Sequence, residues 1–163
     1  MHFAVQTWAR RGARTALALA LAAGLGAAWA HGDVTPQPMD TRTLPPVGQK
    51  WVEDNPYSKG PARTEAVRIG ASGYNQNCAR CHGLEAISGG IAPDLRKMDE
   101  ECTSLASQDK KDACFKEVNG YFIGTVRRGR TRDGLVYMPP FEGMLSQEAL
   151  WAIKTYLESR REP

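Results

Sequence analysis

The chain has 163 residues, 42% of them hydrophobic and 24% charged, with a formal net charge of +3, which suits one domain around one core. The excess charge is local: Arg10, Arg11 and Arg14 fall within the first 30 residues, which contain no acid, so the other 133 residues carry 18 basic and 18 acidic side chains. That balance excludes a nucleic-acid binder, which needs a sustained surplus of Lys and Arg.

Residues 1–30 read as a processing segment. The three arginines form a basic n-region, Ala16 to Leu25 is an apolar run too short to span a bilayer comfortably, and Ala28-Trp29-Ala30 is a small-x-small cleavage site. The pattern predicts export to the periplasm, cleavage after Ala30, and a mature chain that starts at His31 and has no membrane span. An uncleaved anchor helix is the alternative, but no stop-transfer pattern follows. His31 offers an amine and an imidazole to a metal ion, although a terminal histidine is more often just that.

Between His31 and Ala62 the composition changes. Six of the ten prolines are here, Pro36, Pro38, Pro45, Pro46, Pro56 and Pro61, and proline blocks helix and removes ladder donors. Residues 31–62 are therefore expected to form an extended N-terminal arm, with Trp51, Val52 and Tyr57 available to pack on a folded domain over 63–163.

Thr64 is a reasonable helix N-cap with Glu65 in the first turn. Gly70, Tyr74 and Cys78 then fall at i, i+4 and i+8 on one helical face, where Gly70 permits close approach by another helix. The stretch Cys78-Ala79-Arg80-Cys81-His82 is the pattern of c-type haem attachment. A short helical turn lets Cys78 and Cys81 form thioethers with two vinyl groups of one porphyrin while His82 coordinates the iron. A dithiol redox centre or half of a zinc site are the alternatives. The first expects an α/β context, and the second a further ligand pair at similar spacing, which Cys102 and Cys114 do not supply.

A ligating histidine commonly donates its other ring N–H to a carbonyl or carboxylate, and Pro93 is the candidate acceptor, with an ordinary turn proline as the plainer reading. Leu95 would pack on the ring. In an oxidising compartment Cys102 and Cys114 are most simply a structural disulfide closing a surface loop; a redox-active pair is the sharper alternative. Phe115, Val118, Phe122 and Val126 follow helical spacing, with Arg127 and Arg128 in the last turn and Gly129 closing it. Arg130 and Arg132 extend that basic cluster, readable as a solvated helix end, a docking patch, or partners for haem propionates.

Tyr137-Met138-Pro139-Pro140-Phe141 is the second chemical stretch, with Met138 56 residues beyond His82. A thioether is a neutral, weak ligand suited to electron-transfer haem, and the diproline frame favours Met138 over Met144 or Met98. Ser146 should cap a final helix in which Leu150, Ile153 and Leu157 form an apolar stripe, with Trp151 and Tyr156 facing the Gly70 helix.

Taken together, Gly70, Tyr74, Cys78-Ala79-Arg80-Cys81-His82, Pro93-Asp94-Leu95, Met138-Pro139-Pro140-Phe141 and the last helix resemble a class I cytochrome c over about 64 to 161. More narrowly, His31-Gly32-Asp33-Val34-Thr35-Pro36, Tyr74-Asn75-Gln76-Asn77, Gly83 to Gly90, the Cys102/Cys114 pair and Tyr137 to Phe141 resemble the PedF-type cytochromes c associated with quinoprotein ethanol dehydrogenases. The resemblance implies an all-α fold with three principal helices around one covalently bound haem c. Its axial ligands would be His82 and Met138, with Pro93 and Tyr137 beside the cofactor. It further implies a periplasmic one-electron carrier, not an enzyme. The donor would be a pyrroloquinoline-quinone-dependent alcohol dehydrogenase, and the acceptor a terminal oxidase or another cytochrome. A peroxidase-like haem enzyme with an open or displaceable distal position is the alternative class, and a general periplasmic carrier with another donor is a third reading.

Overall fold

The computed structural model describes residues 35–161; the expected leader and His31 lie outside the described residues. The element order is α1 (Arg63–Asn77), α2 (Ala79–His82), α3 (Glu100–Ser104), α4 (Gln108–Arg128), β1 (Arg130–Arg132), β2 (Leu135–Met138) and α5 (Gln147–Ser159). Single turns of 3-10 helix at Leu84–Ala86 and Leu95–Lys97 punctuate the loop between α2 and α3. The three principal helices expected from sequence are α1, α4 and α5, and the fold is that of an α protein.

Two local expectations change. Thr64 is not the cap of α1: Ala62 holds that position, and the N–H of Arg63 donates to the carbonyl of Gly60, so a preceding turn runs into the helix without side-chain capping. The fold also contains a small antiparallel hairpin, in which Thr131 faces Val136 and Arg132 faces Leu135. It turns at Asp133-Gly134, both at positive φ, and Asp-Gly is a strong two-residue hairpin signal. Gly129 ends α4 as expected, at φ +68. Ser146 caps α5 by accepting from the Ala149 N–H at 3.2 Å.

The core forms where α1 crosses α5. Gly70 lies directly against the carbonyl of Ala152 and the Cβ of Tyr156, so a β-carbon at position 70 would run into backbone. One turn on, Tyr74 and Tyr156 pack ring against ring, with centroids 5.3 Å apart. Phe122 and Val126 of α4, Phe141, and Leu150, Trp151, Ile153 and Leu157 of α5 complete the apolar interior. Burying each large apolar side chain is worth about 1.5–3 kcal/mol.

Helix α5 is covered along most of its length, and its polar residues Gln147, Lys154 and Thr155 are buried with it. The Lys154 side chain, 1% exposed, donates to Asp99 at 3.3 Å and to Glu158 at 3.0 Å. Arg161 completes a clamp on the same Asp99 carboxylate with bonds of 2.7 and 2.6 Å. A buried cation is tolerated only when paired and hydrogen-bonded in this way. The network fixes the start of α3 to the end of α5.

Residues 35–62 contain no helix or strand, yet they are folded down onto the helices. Leu44 and Tyr57 are buried, and the Tyr57 hydroxyl donates to the Pro45 carbonyl at 2.6 Å. The Asn77 side chain bonds both the N–H and the carbonyl of Gln37, Met39 fills the space beside Gly73, and Asn55 donates to Thr155 at 3.0 Å. Prolines leave this segment few backbone donors, so long-range side-chain bonds take over the anchoring.

Two outcomes follow from this packing. Replacing Gly70 with Ala should lower the unfolding free energy of the haem-loaded protein by about 1–3 kcal/mol through overpacking, read from denaturant titrations followed by circular dichroism. For Asp99, burial acts to raise the carboxyl pKa, but Arg161 and Lys154 outweigh it and the group sits below its ordinary value. A depressed folded pKa gives stability that is present above the unfolded value of ~3.9 and lost as pH falls below it. Asp99→Asn should therefore destabilise the protein at neutral pH and flatten the acid limb of its stability curve.

Candidate functional site

The end of α1 carries the two cysteines that form no disulfide among the described residues, Cys78 and Cys81. Backbone hydrogen bonding runs through the junction, from Cys78 N–H to the Tyr74 carbonyl at 2.8 Å and from His82 N–H to the Cys78 carbonyl at 3.0 Å. Cys78 itself leaves helical geometry, at φ −121 and ψ −37. The chain thus turns into the short α2 with Cys78 and Cys81 three residues apart on one face and His82 following.

The loop after His82 is tied back at several points. The Tyr74 hydroxyl donates to the carbonyl of Gly83 at 2.7 Å. Gly83 has φ +81, and a side chain there would strike the carbonyl of Ile87, so only glycine fits. Glu85 pairs with Arg160 at 2.7 Å. The Nδ1 of His82 lies 2.9 Å from the carbonyl of Pro93, an arrangement that sets the ring and directs Nε2 away from that carbonyl. Pro93 is in turn fixed by its neighbour: the Asp94 carboxylate accepts from the backbone N–H and guanidinium of Arg96, which hold its pKa down to about 2.

Met138 is the last residue of β2, opposite Arg130, and packs partly buried against the core. Tyr137, on the opposite face of the strand, is 65% exposed. Met144 is exposed, whereas Met98 also touches the core. The structure joins Cys102 to Cys114, linking α3 to α4. Most of the basic cluster is engaged locally: Arg127 pairs with Glu142 at 2.6 Å, Arg132 pairs with Asp133, and Arg130 bonds Thr125 and lies over the Tyr121 ring.

The residues present fit a haem. Large apolar side chains that water-facing loops do not ordinarily hold together flank both chemical stretches: Leu84, Ile87 and Ile91 after His82, and Leu135, Val136 and Tyr137 before Met138 are all exposed. A porphyrin supplies the apolar surface such side chains lack. Among the described residues the buried Trp151 Nε1 has no hydrogen-bond partner, and leaving such a donor unpaired costs about 1–3 kcal/mol. The alternatives fit less well. Burial, and then Cys81, pushes the Cys78 thiol up to about 12, the opposite of an activated dithiol. Among the described residues no group of three or more His, Cys, Asp or Glu side chains is placed to hold a metal ion, which leaves a zinc site without its ligand set.

Comparison with known proteins decides the family. Residues 65–157 match the family model described as cytochrome c oxidase, cbb3-type, subunit III. The chain is 54% identical over 133 residues to cytochrome c550 of Pseudomonas aeruginosa, covering 81% of this chain and 82% of that one. The chain belongs to the class I c-type cytochromes. It is also 33% identical over 97 residues to quinohemoprotein alcohol dehydrogenase ADH-IIG of Pseudomonas putida, which is 60% of this chain and 11% of that enzyme. A second such dehydrogenase of the same species, ADH IIB, matches at 33% over 99 residues, or 61% of this chain and 12% of the enzyme. No solved structure matches the chain.

As a class I cytochrome the protein carries haem c and transfers electrons rather than catalysing a reaction of its own. Sequence reasoning overlooked the hairpin that delivers Met138, although Asp133-Gly134 signalled it, and the contacts of the arm with Arg127, for which no local signal exists. The Cys102–Cys114 bridge joins α3 to α4 rather than closing a surface loop, with Cys102 buried. Replacing both of these cysteines with Ser should cost about 2–3 kcal/mol of stability and leave the visible spectrum of the haem-loaded protein unchanged, as checked by paired thermal and absorption measurements.

Proposed function

We propose that this cytochrome is a periplasmic shuttle that takes single electrons from a pyrroloquinoline-quinone-dependent alcohol dehydrogenase and delivers them to a terminal oxidase branch or another cytochrome. The observation that carries the donor assignment is the likeness to about a hundred residues within two quinohemoprotein alcohol dehydrogenases. The names of those enzymes join a quinone, a haem and alcohol oxidation.

In this reading Cys78 and Cys81 would hold the porphyrin covalently, and His82 and Met138 would be the protein ligands of its iron. The group so held would supply one-electron chemistry, at a potential that a thioether ligand raises. Each residue's part is then positional. Pro93 orients the imidazole and makes it a better donor by accepting from Nδ1. Gly83 and Tyr74 keep the loop that carries Pro93 in place. With His82 and Met138 both bound to the iron, no position would be left for a substrate on the metal, which would separate a carrier from a peroxidase.

The test is rapid mixing of the ferric, haem-loaded protein with a quinoprotein alcohol dehydrogenase and ethanol, following haem reduction at several salt concentrations. Fast, saturable reduction is expected. No reduction by the enzyme, with normal reduction by dithionite, would refute the donor and leave the carrier in place. Met138→Ala should lose the thioether-to-iron charge-transfer band and lower the reduction potential; an unchanged band would move the ligand to another methionine.

A further inference from the structure

The turn that presents Met138 cannot hold itself. Pro139 and Pro140 follow the methionine, and neither has an N–H to donate. The turn is instead laid on the end of α4, where Gly129 has no side chain to obstruct the carbonyl of Met138 and the backbone of Pro139 and Pro140. The next backbone anchor is the N–H of Phe141, which donates to the Val126 carbonyl at 2.9 Å. Glu142 then closes the turn: its carboxylate pairs with Arg127 at 2.6 Å.

The Arg127–Glu142 pair is only partly shielded by its own element, and the arm covers it. The Trp51 ring lies under Arg127, with the guanidinium carbon 4.2 Å from the ring centroid. A cation–π contact of this kind holds the guanidinium where it meets the Glu142 carboxylate. Trp51 is itself held on both sides by one buried side chain at the start of α5. Gln147 accepts from the Val52 N–H at 2.6 Å and donates to the carbonyls of Gly48 and Lys50 at 3.0 and 3.1 Å.

We propose that Trp51 is a positioning residue for the distal ligand: acting through Arg127 and Glu142, the N-terminal arm keeps the Met138 turn closed and the thioether on the iron. The inference rests on the reading of Met138 as axial ligand. It gives the arm a part in electron transfer beyond packing. A methionine that stays bound in both redox states excludes small ligands and fixes the potential, whereas a loosened turn lets an added ligand compete for the metal.

The experiment compares imidazole binding to the ferric, haem-loaded protein in four variants, with the thermal midpoint of each measured alongside. Trp51→Ala should accelerate displacement of the thioether by imidazole about tenfold. Asn55→Ala, which cuts a different anchor of the same arm, to Thr155 and Glu158, should lower the thermal midpoint without changing the displacement rate. Trp51→Phe keeps a smaller and weaker aromatic face against Arg127, so a smaller acceleration is expected, and this variant decides the matter if Trp51→Ala does not fold. Met138→Ala should show no charge-transfer band. Wild-type displacement rates in both Trp51 variants, or equal acceleration by Asn55→Ala, would overturn the positioning role while leaving Met138 as ligand. A retained band in Met138→Ala would overturn the ligand assignment and the positioning role with it.

Discussion

The contact of Gly70 with the carbonyl of Ala152 sets the rest of the structure. Any side chain at position 70 would hold α1 and α5 apart, and the helices meet backbone to backbone because there is none. That crossing brings Tyr74 against Tyr156 and leaves the Tyr74 hydroxyl bonded to Gly83. One helix face thus runs from a packing contact, through a ring contact, to the loop that follows Cys78 and Cys81. The attachment segment is positioned by tertiary packing two turns upstream of it.

Helix α5 also anchors the arm, α4 and the start of α3. Gln147 and Thr155 hold the arm, Ala152 and Tyr156 receive α1, Trp151 lies beside Phe122 of α4, and Lys154 ties down Asp99. Just beyond its end, Arg160 and Arg161 secure the two sides of the loop that contains Pro93, through Glu85 and Asp99. The consequence for function is rigidity on both sides of the iron. An electron carrier needs ligands that do not rearrange when the charge changes, and preorganised groups spare that reorganisation.

What the sequence disclosed was whatever has a short period or a local signature. Gly70, Tyr74 and Cys78 share a face at four-residue spacing, Ser146 precedes an apolar stripe, Gly129 follows a basic last turn, and the cysteine-histidine pattern has a fixed length. The hairpin was legible in Asp133-Gly134 but lay inside a run of arginines that drew attention to charge. The burial of Lys154 had no signal in the sequence, because helical spacing cannot show which polar positions of a helix the rest of the fold covers. The arm's anchors join residues about a hundred positions apart, such as Asn55 with Thr155 and Val47 with Glu148. Its composition indicated an extended chain, and its Trp51, Val52 and Tyr57 indicated contact, but the partners are set by the fold.

The account turns on the ligand set that these contacts hold in place, and X-ray absorption at the iron of the ferric haem-loaded protein tests it most directly. Scattering from porphyrin and imidazole nitrogens together with a single thioether sulfur, with the sulfur lost in Met138→Ala, is the predicted result. A first shell with no sulfur in the unaltered protein would contradict it and return the open-site enzyme reading to consideration.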